Sequence, residues 1–462
     1  MSRKFLFIIF ILGYNLFSCA PAEEDIVIYH YPKEVEPSGQ FKAWLAGAEA
    51  TVYPTEVAGL LTFGAHKAVE VVVEPQFAFK KVDIRPQNLG IKAKIEGGKV
   101  IFSMPVASKV VLEFDQRVYQ LLYVFSQTPV EDRPADIIFK SGEYYQNGFA
   151  QVKSGQKVWV QAGAVVEGYF LMEDVEEVEI FGHGIIDNSR LGHGAEQGYH
   201  GINWIKARDS KLENVHLIGN PRWSTSFFGC DDMEINDVRI IDWRPSDDGI
   251  DLVGCRNVEV KNAFIRTKDD CIAIKAMPFD VYWPTAPEEV HHQVKVDVGC
   301  RNVENIRVSN CVLWNAEWGN AIEIGFETQA DSIGNILFTN IDVLHVEANG
   351  GVFTIHNGDR ALVHNVHYKD IRIEEANGFL CHFQILDSHY SKDDTRGNGQ
   401  NIMLENIAMQ GPVQLNSLIT GLSDQYAYRG ISFHNISLND KVLNNITDAG
   451  LYSEYSYDIT FE

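Results

Sequence analysis

The feature that most limits the fold of this chain is a repeat. From about Arg133 onward, short strands with alternating apolar residues return at intervals of about 20 to 30 residues. They lie at 175–180, 212–217, 233–240, 258–265, 303–308, 333–338, 363–368, 402–407 and 431–438. Each copy has one apolar face and too little chain to bury it alone, so the copies must stack. The pattern predicts a right-handed parallel β-helix. Asn recurs near the centre of many copies, which predicts a ladder of side-chain amides at a bend. No segment has the pattern of a long helix.

The region before the repeat reads differently. Strand-like runs at 26–29, 69–73, 92–95, 100–103 and 110–114, with turn signals such as Glu96-Gly97-Gly98 between them, suit an antiparallel β-sandwich. Trp44, Tyr53 and Phe63 are either its core or a carbohydrate-binding surface, and scattered aromatics favour core. At the N-terminus, Ser2-Arg3-Lys4 is basic, and the apolar run from Phe5 to Phe17 is short for a membrane span. With Leu16-Phe17-Ser18-Cys19 this resembles a bacterial lipoprotein signal peptide, which implies lipidation of Cys19. The alternative is cleavage near Ala20 to Ala22, giving a secreted protein. The expected organisation is therefore a signal peptide at 1–19, a β-sandwich at 20–132 and a β-helix at 133–462. The expected location is the cell envelope, with membrane contact only through the lipid anchor.

Composition narrows the partners. A net charge of −24 over 462 residues disfavours nucleic acid and other polyanions. Seven cysteines are present. Apart from Cys19 they lie in or beside predicted strands and read as core, with Cys300 and Cys311 the pair to expect if any forms. No CxxC or CxxH spacing occurs, so neither a metal site nor a cofactor is expected.

The chemistry is concentrated in Ser246 to Lys275, SDDGIDLVGCRNVEVKNAFIRTKDDCIAIK. Asp247-Asp248 runs into Gly249-Ile250-Asp251-Leu252, and Asp269-Asp270 runs into Cys271-Ile272-Ala273-Ile274. Aligning the apolar residues puts Ile250 on Ile272, Leu252 on Ile274 and Asp248 on Asp270. Stacked strands lie about 4.8 Å apart, so Asp248, Asp270 and the adjacent Asp269 meet at one surface spot. Close carboxylates resist ionising together, and one can hold a proton near neutral pH. That equips a site for acid/base hydrolysis of a glycosidic bond. Asp-Asp-Gly is also an ordinary turn sequence, but two such sites in register one coil apart favour the catalytic reading. Two segments interrupt the repeat, Met277 to Gly299 and the Gly- and His-rich Gly182 to Gly201. Both are expected to wall the cleft.

Four motifs in order carry a family resemblance: Gly182-His183-Gly184-Ile185-Ile186-Asp187, Asn220-Pro221-Arg222-Trp223, Ser246-Asp247-Asp248-Gly249-Ile250-Asp251 and Asp269-Asp270-Cys271-Ile272-Ala273-Ile274. Together they resemble GxGxIDG, NSPxW, NTDGxD and DDCxAx of the glycoside hydrolase clan of polygalacturonases and dextranases (families 28 and 49). The preceding sandwich is more like the dextranase branch. The resemblance implies that Asp269 is the general acid, that Asp248 and Asp270 activate water, and that the anomeric configuration inverts.

Departures from the polygalacturonase pattern bear on the sugar. Where polygalacturonases read GHGxSxGS, this chain has Gly319-Asn320-Ala321-Ile322-Glu323-Ile324-Gly325. Val352-Phe353-Thr354-Ile355-His356 lacks the Arg-x-Lys that grips galacturonate. A neutral or differently modified sugar is therefore expected. Register places Trp223 and Asn320 in the acidic column, Trp223 to stack on a ring and Asn320 or Glu323 to bond hydroxyls. Lys275, His183, His356 and Arg222 are further candidates for substrate contact. The expected enzyme is a monomeric hydrolase of α-linked poly- or oligosaccharides. Two alternatives remain: a calcium-dependent polysaccharide lyase, or a non-catalytic glycan-binding β-helix.

Overall fold

A computed structural model describes residues 25–117, 119–191, 200–283, 292–296, 299–347, 350–414 and 416–462. The proposed lipidation site, Cys19, lies outside these residues. So does part of each insertion, although backbone strands Phe279–Trp283 and His292–Val296 pair as an antiparallel hairpin within the second one.

Two sheets pack face to face ahead of the repeat. One contains Ala48–Ala50, Phe41–Leu45, Val69–Pro75, Lys99–Met104 and Lys94–Glu96, all antiparallel. The other contains Ile26–Ile28, Tyr53–Pro54, Ala58–Ala65, Leu121–Gln127, Lys109–Phe114 and Val82–Arg85. It departs from the antiparallel expectation in one pair, since Leu121–Gln127 runs parallel to Ala58–Ala65. Both of these strands are buried along their whole length. One of their faces closes the sandwich core with Phe63, Leu112 and Val124. The other, through Leu60, Tyr123 and Phe125, packs on Ile185, Ile241, Phe264 and Trp314 of the β-helix. A strand covered on both sides reads as a continuous apolar run, not an alternating one. Tyr53 and Phe63 are buried, and Trp44 lies half-buried beneath Lys99, so the three aromatics are structural.

From Ile137 onward, parallel strands stack coil upon coil. The registers match the alternation in the sequence: Ile250 pairs with Ile272 and then Ile322, and Leu252 with Ile274 and then Ile324. These residues point inward and are fully buried. Each such side chain contributes roughly 1.5–3 kcal/mol of hydrophobic stabilisation. The alternate residues, Asp251, Ala273 and Glu323, point away from that apolar core and are themselves fully buried. The described cysteines are all unpaired; Cys311 is buried and Cys300 is exposed.

The asparagines form ladders at the bends. Asn305, Asn340, Asn365, Asn401 and Asn435 donate their side-chain amides to Asn257, Asn310, Asn335, Asn365 and Asn406 of the preceding coil, over 2.7–3.3 Å. Asn257, Asn305, Asn335, Asn365 and Asn401 all sit at φ between 53° and 58°. Asn tolerates this left-handed backbone because its short amide bonds locally. Asn365→Ala removes two ladder bonds and forces a Cβ-only residue into that conformation. It is expected to cost about 2 kcal/mol in urea unfolding while leaving activity intact.

Candidate active site

The acidic column forms as the register requires. Ser224 N–H donates to Asp248 O (2.7 Å), Gly249 N–H to Asp270 O (2.8 Å) and Cys271 N–H to Asn320 O (2.9 Å). Trp223, Asp248, Asp270 and Asn320 thus occupy equivalent positions on four successive coils. With Asp269 they line a cavity of about 610 Å³, together with Arg222, Ser246, Lys275, Met277, Trp318, Gly319, Gly325, Phe326, Glu327 and Tyr390.

The three proposed catalytic carboxylates have different partners. Asp248 accepts a hydrogen bond from Lys275 Nζ at 2.9 Å, and the same ammonium reaches Asp251 at 2.9 Å. Burial opposes the Lys275 charge, but Asp248 and Asp251 outweigh it and hold the amine protonated. Asp270 Oδ1 accepts two bonds from Asn320, one from the backbone N–H (2.7 Å) and one from Nδ2 (2.9 Å). Burial and the neighbouring Asp248 and Asp269 charges push Asp270 upward; the two Asn320 donors favour its ionised form. Among the described residues, the Asp269 carboxyl takes the Asp270 N–H alone, at 3.0 Å. Burial and the charge of Asp248 raise it to about 7. Asp269 thus has no side-chain donor among the described residues and is raised to about 7, which suits a general acid.

Behind this face, buried side chains hold the acids in place. Asp247 Oδ1 accepts the backbone N–H groups of Lys268 (2.7 Å) and Asp269 (3.0 Å), so the first aspartate of the DDG motif fixes the loop that carries the proposed acid. Glu323 accepts from Asn320 Nδ2 at 3.0 Å and pairs with His356 Nδ1 at 2.9 Å. Gly319 explains the glycine before Asn320. Its φ is +63°, and a Cβ there would lie 2.4 Å from Asp269 Oδ1. Gly319→Ala must displace the Asp269 carboxyl as well as strain the backbone. We expect it to lower kcat/KM on the substrate by about 100-fold with a modest fall in Tm, because misplacing a reacting group by an ångström has effects of that order.

The structure gathers some of the weaker candidates and not others. Arg222, Trp223, Lys275 and Asn320 line the cavity. Trp223 is buried, with Lys275 Nζ 4.1 Å from its ring centre, so it is covered on that side. Glu323 and His356 stand behind Asn320 and not on the cavity wall. His183 is a correction. Its ring bonds Thr128 O at 2.9 Å, next to the sandwich, and burial pushes it down to about 4. The turn that carries it faces the other domain, so it is a neutral structural residue. Conversely, sequence reading passed over Trp318 and Tyr390, which lie on loops without a repeat signature, and Phe326 and Glu327, which lie at the end of the strand Ile322–Thr328. Asp251 was legible in principle, since alternation puts it outward between Ile250 and Leu252.

Comparison with known proteins agrees with this geometry. Residues 172–378, which include the whole column, match the model of Glycosyl hydrolases family 28. No curated protein matches the chain. Among solved structures, Dex49A from Penicillium minioluteum superposes with a TM-score of 0.60 at 11% identity, covering 94% of this chain and 96% of that one. The family 28 exopolygalacturonase of Yersinia enterocolitica does so with a TM-score of 0.52 at 13% identity, covering 94% and 93%. The chain is a parallel β-helix, and over residues 172–378 it is similar to Glycosyl hydrolases family 28, of the clan of the polygalacturonases and dextranases.

Proposed function

We propose that the protein hydrolyses α-glycosidic bonds of a neutral poly- or oligosaccharide with inversion of configuration. Asp269 protonates the leaving oxygen. Asp248 and Asp270, stacked on adjacent coils, take the proton of the attacking water, which enters between them and the sugar. The observation that carries this reading is the unequal setting of three carboxyls in one cavity: Asp248 charge-paired to Lys275, Asp270 held by Asn320, and Asp269 raised to about 7. The choice of a neutral sugar follows from the wall. Asp248, Asp269, Asp270 and Glu327 line it with two cations, Arg222 and Lys275, and Lys275 is committed to Asp248 and Asp251. Lys275 is therefore not available to grip a uronate carboxylate, which fits a neutral sugar. We further propose that the enzyme acts outside the cytoplasm, anchored through Cys19.

Incubation with dextran, polygalacturonate and algal galactans, with reducing-end detection, tests the substrate class. Proton NMR of the first anomer released tests inversion. A retained anomer, or a preference for polygalacturonate, defeats the reading. An unsaturated product whose formation stops in chelator would instead mark a calcium-dependent lyase.

A further inference from the structure

We infer that Trp318 is the platform for the sugar ring on the leaving-group side of the scissile bond, an inference that rests on the hydrolase reading above. Trp318 is 49% exposed yet lines the catalytic cavity. A large aromatic left half in water gives up part of its burial energy, and here its backbone is nevertheless held firmly. Its N–H donates to Lys268 O at 2.6 Å. Asn315 Nδ2 donates both to Trp318 O (2.5 Å) and to Asp269 O (2.8 Å), so one amide ties the indole-bearing residue to the proposed acid. The next residue, Gly319, lies against the Asp269 carboxyl. Lys268 Nζ sits 4.7 Å from the centre of the indole and pairs with Glu317 at 2.6 Å, which fixes the side chain from the loop side.

The acid gives its proton to the oxygen that departs with the leaving sugar. An aromatic surface fastened beside Asp269 therefore meets the departing ring. The apolar C–H face of an uncharged pyranose is the chemistry that packs on such a surface. Trp223, at the other end of the column, is 7% exposed, so it does not offer an equivalent platform. The enzyme accordingly recognises at least one pyranose beyond the bond it cuts.

Two substrates separate the two sides of that bond. One is an oligosaccharide prepared from the polysaccharide that the wild type cleaves. The other is the α-glycosyl fluoride of the same sugar, whose leaving group is fluoride and leaves the far side empty. Trp318→Ala is expected to lower kcat/KM for the oligosaccharide roughly 10- to 100-fold, mainly through KM. On the glycosyl fluoride it is expected to stay within about twofold of wild type. Trp318→Phe should recover most of the loss, and thermal unfolding should be unchanged in both variants. Equal losses on the two substrates, or no loss on the oligosaccharide, would overturn the assignment of Trp318. Failure of the hydrolase reading shows differently, as a retained anomer or an active Asp269→Asn variant.

Discussion

Asp269→Asn is expected to lower kcat on the polysaccharide by about 10³-fold or more, the range for an essential general acid. The matching α-glycosyl fluoride should suffer much less, because fluoride departs without full protonation. In the wild type, kcat/KM should fall as pH rises through about 7, since Asp269 must carry its proton to act and is raised to that value by burial and Asp248. The same shift bears on stability. A folded-state value above the unfolded one means that the native state binds the proton more tightly. The contribution is complete below the ordinary value of 3.8 and is lost as pH rises through about 7. At about 1.4 kcal/mol per pKa unit, the upper bound is roughly 4 kcal/mol, shared among the coupled acids. Asp269→Asn removes that charge, so the inactive variant should melt at a higher temperature than wild type above neutral pH and equally at pH 4. Scanning calorimetry at the two pH values checks this. A variant that is inactive and also less stable at pH 8 would point to a structural role instead.

Lys275→Met carries the second large effect. Lys275 is 6% exposed, and its ammonium makes 2.9 Å contacts to both Asp248 and Asp251. Breaking a buried pair from one side leaves uncompensated charge and costs about 3–5 kcal/mol. Asp251 is already pushed upward by burial, with Lys275 opposing that rise. Without the amine, Asp251 and Asp248 must take up protons or repel each other. The expected result is a fall in Tm, a loss of kcat of at least about 100-fold, and a shift of the acidic limb of the pH–rate profile to higher pH. The double variant Asp251→Asn/Lys275→Met should regain part of the stability without regaining the rate. If Lys275 merely contacted substrate, KM alone would rise and the acidic limb would not move.

Much of the fold was readable from single positions. The alternation of Ile250, Leu252, Ile272 and Ile274 sets their register, because a one-residue slip would turn every apolar side chain outward. The recurring asparagines marked the bends because few residues accept that backbone. In the sandwich, Ala58–Ala65 and Leu121–Gln127 escaped notice because burial on both faces erases alternation.

The sequence by itself determined the solenoid, the placing of Asp248, Asp269 and Asp270 on adjoining coils, and the position of Trp223 and Asn320 in the same column. These follow from period and register, which are local rules repeated along the chain. Only the tertiary structure decided which carboxyl is partnered by Lys275, that Glu323 and His356 stand behind Asn320, that His183 turns toward the sandwich, and that Trp318 and Tyr390 reach the cavity. Those outcomes depend on loops of unequal length and on which buried charge finds a counter-charge. Neither has a period that can be read along one strand.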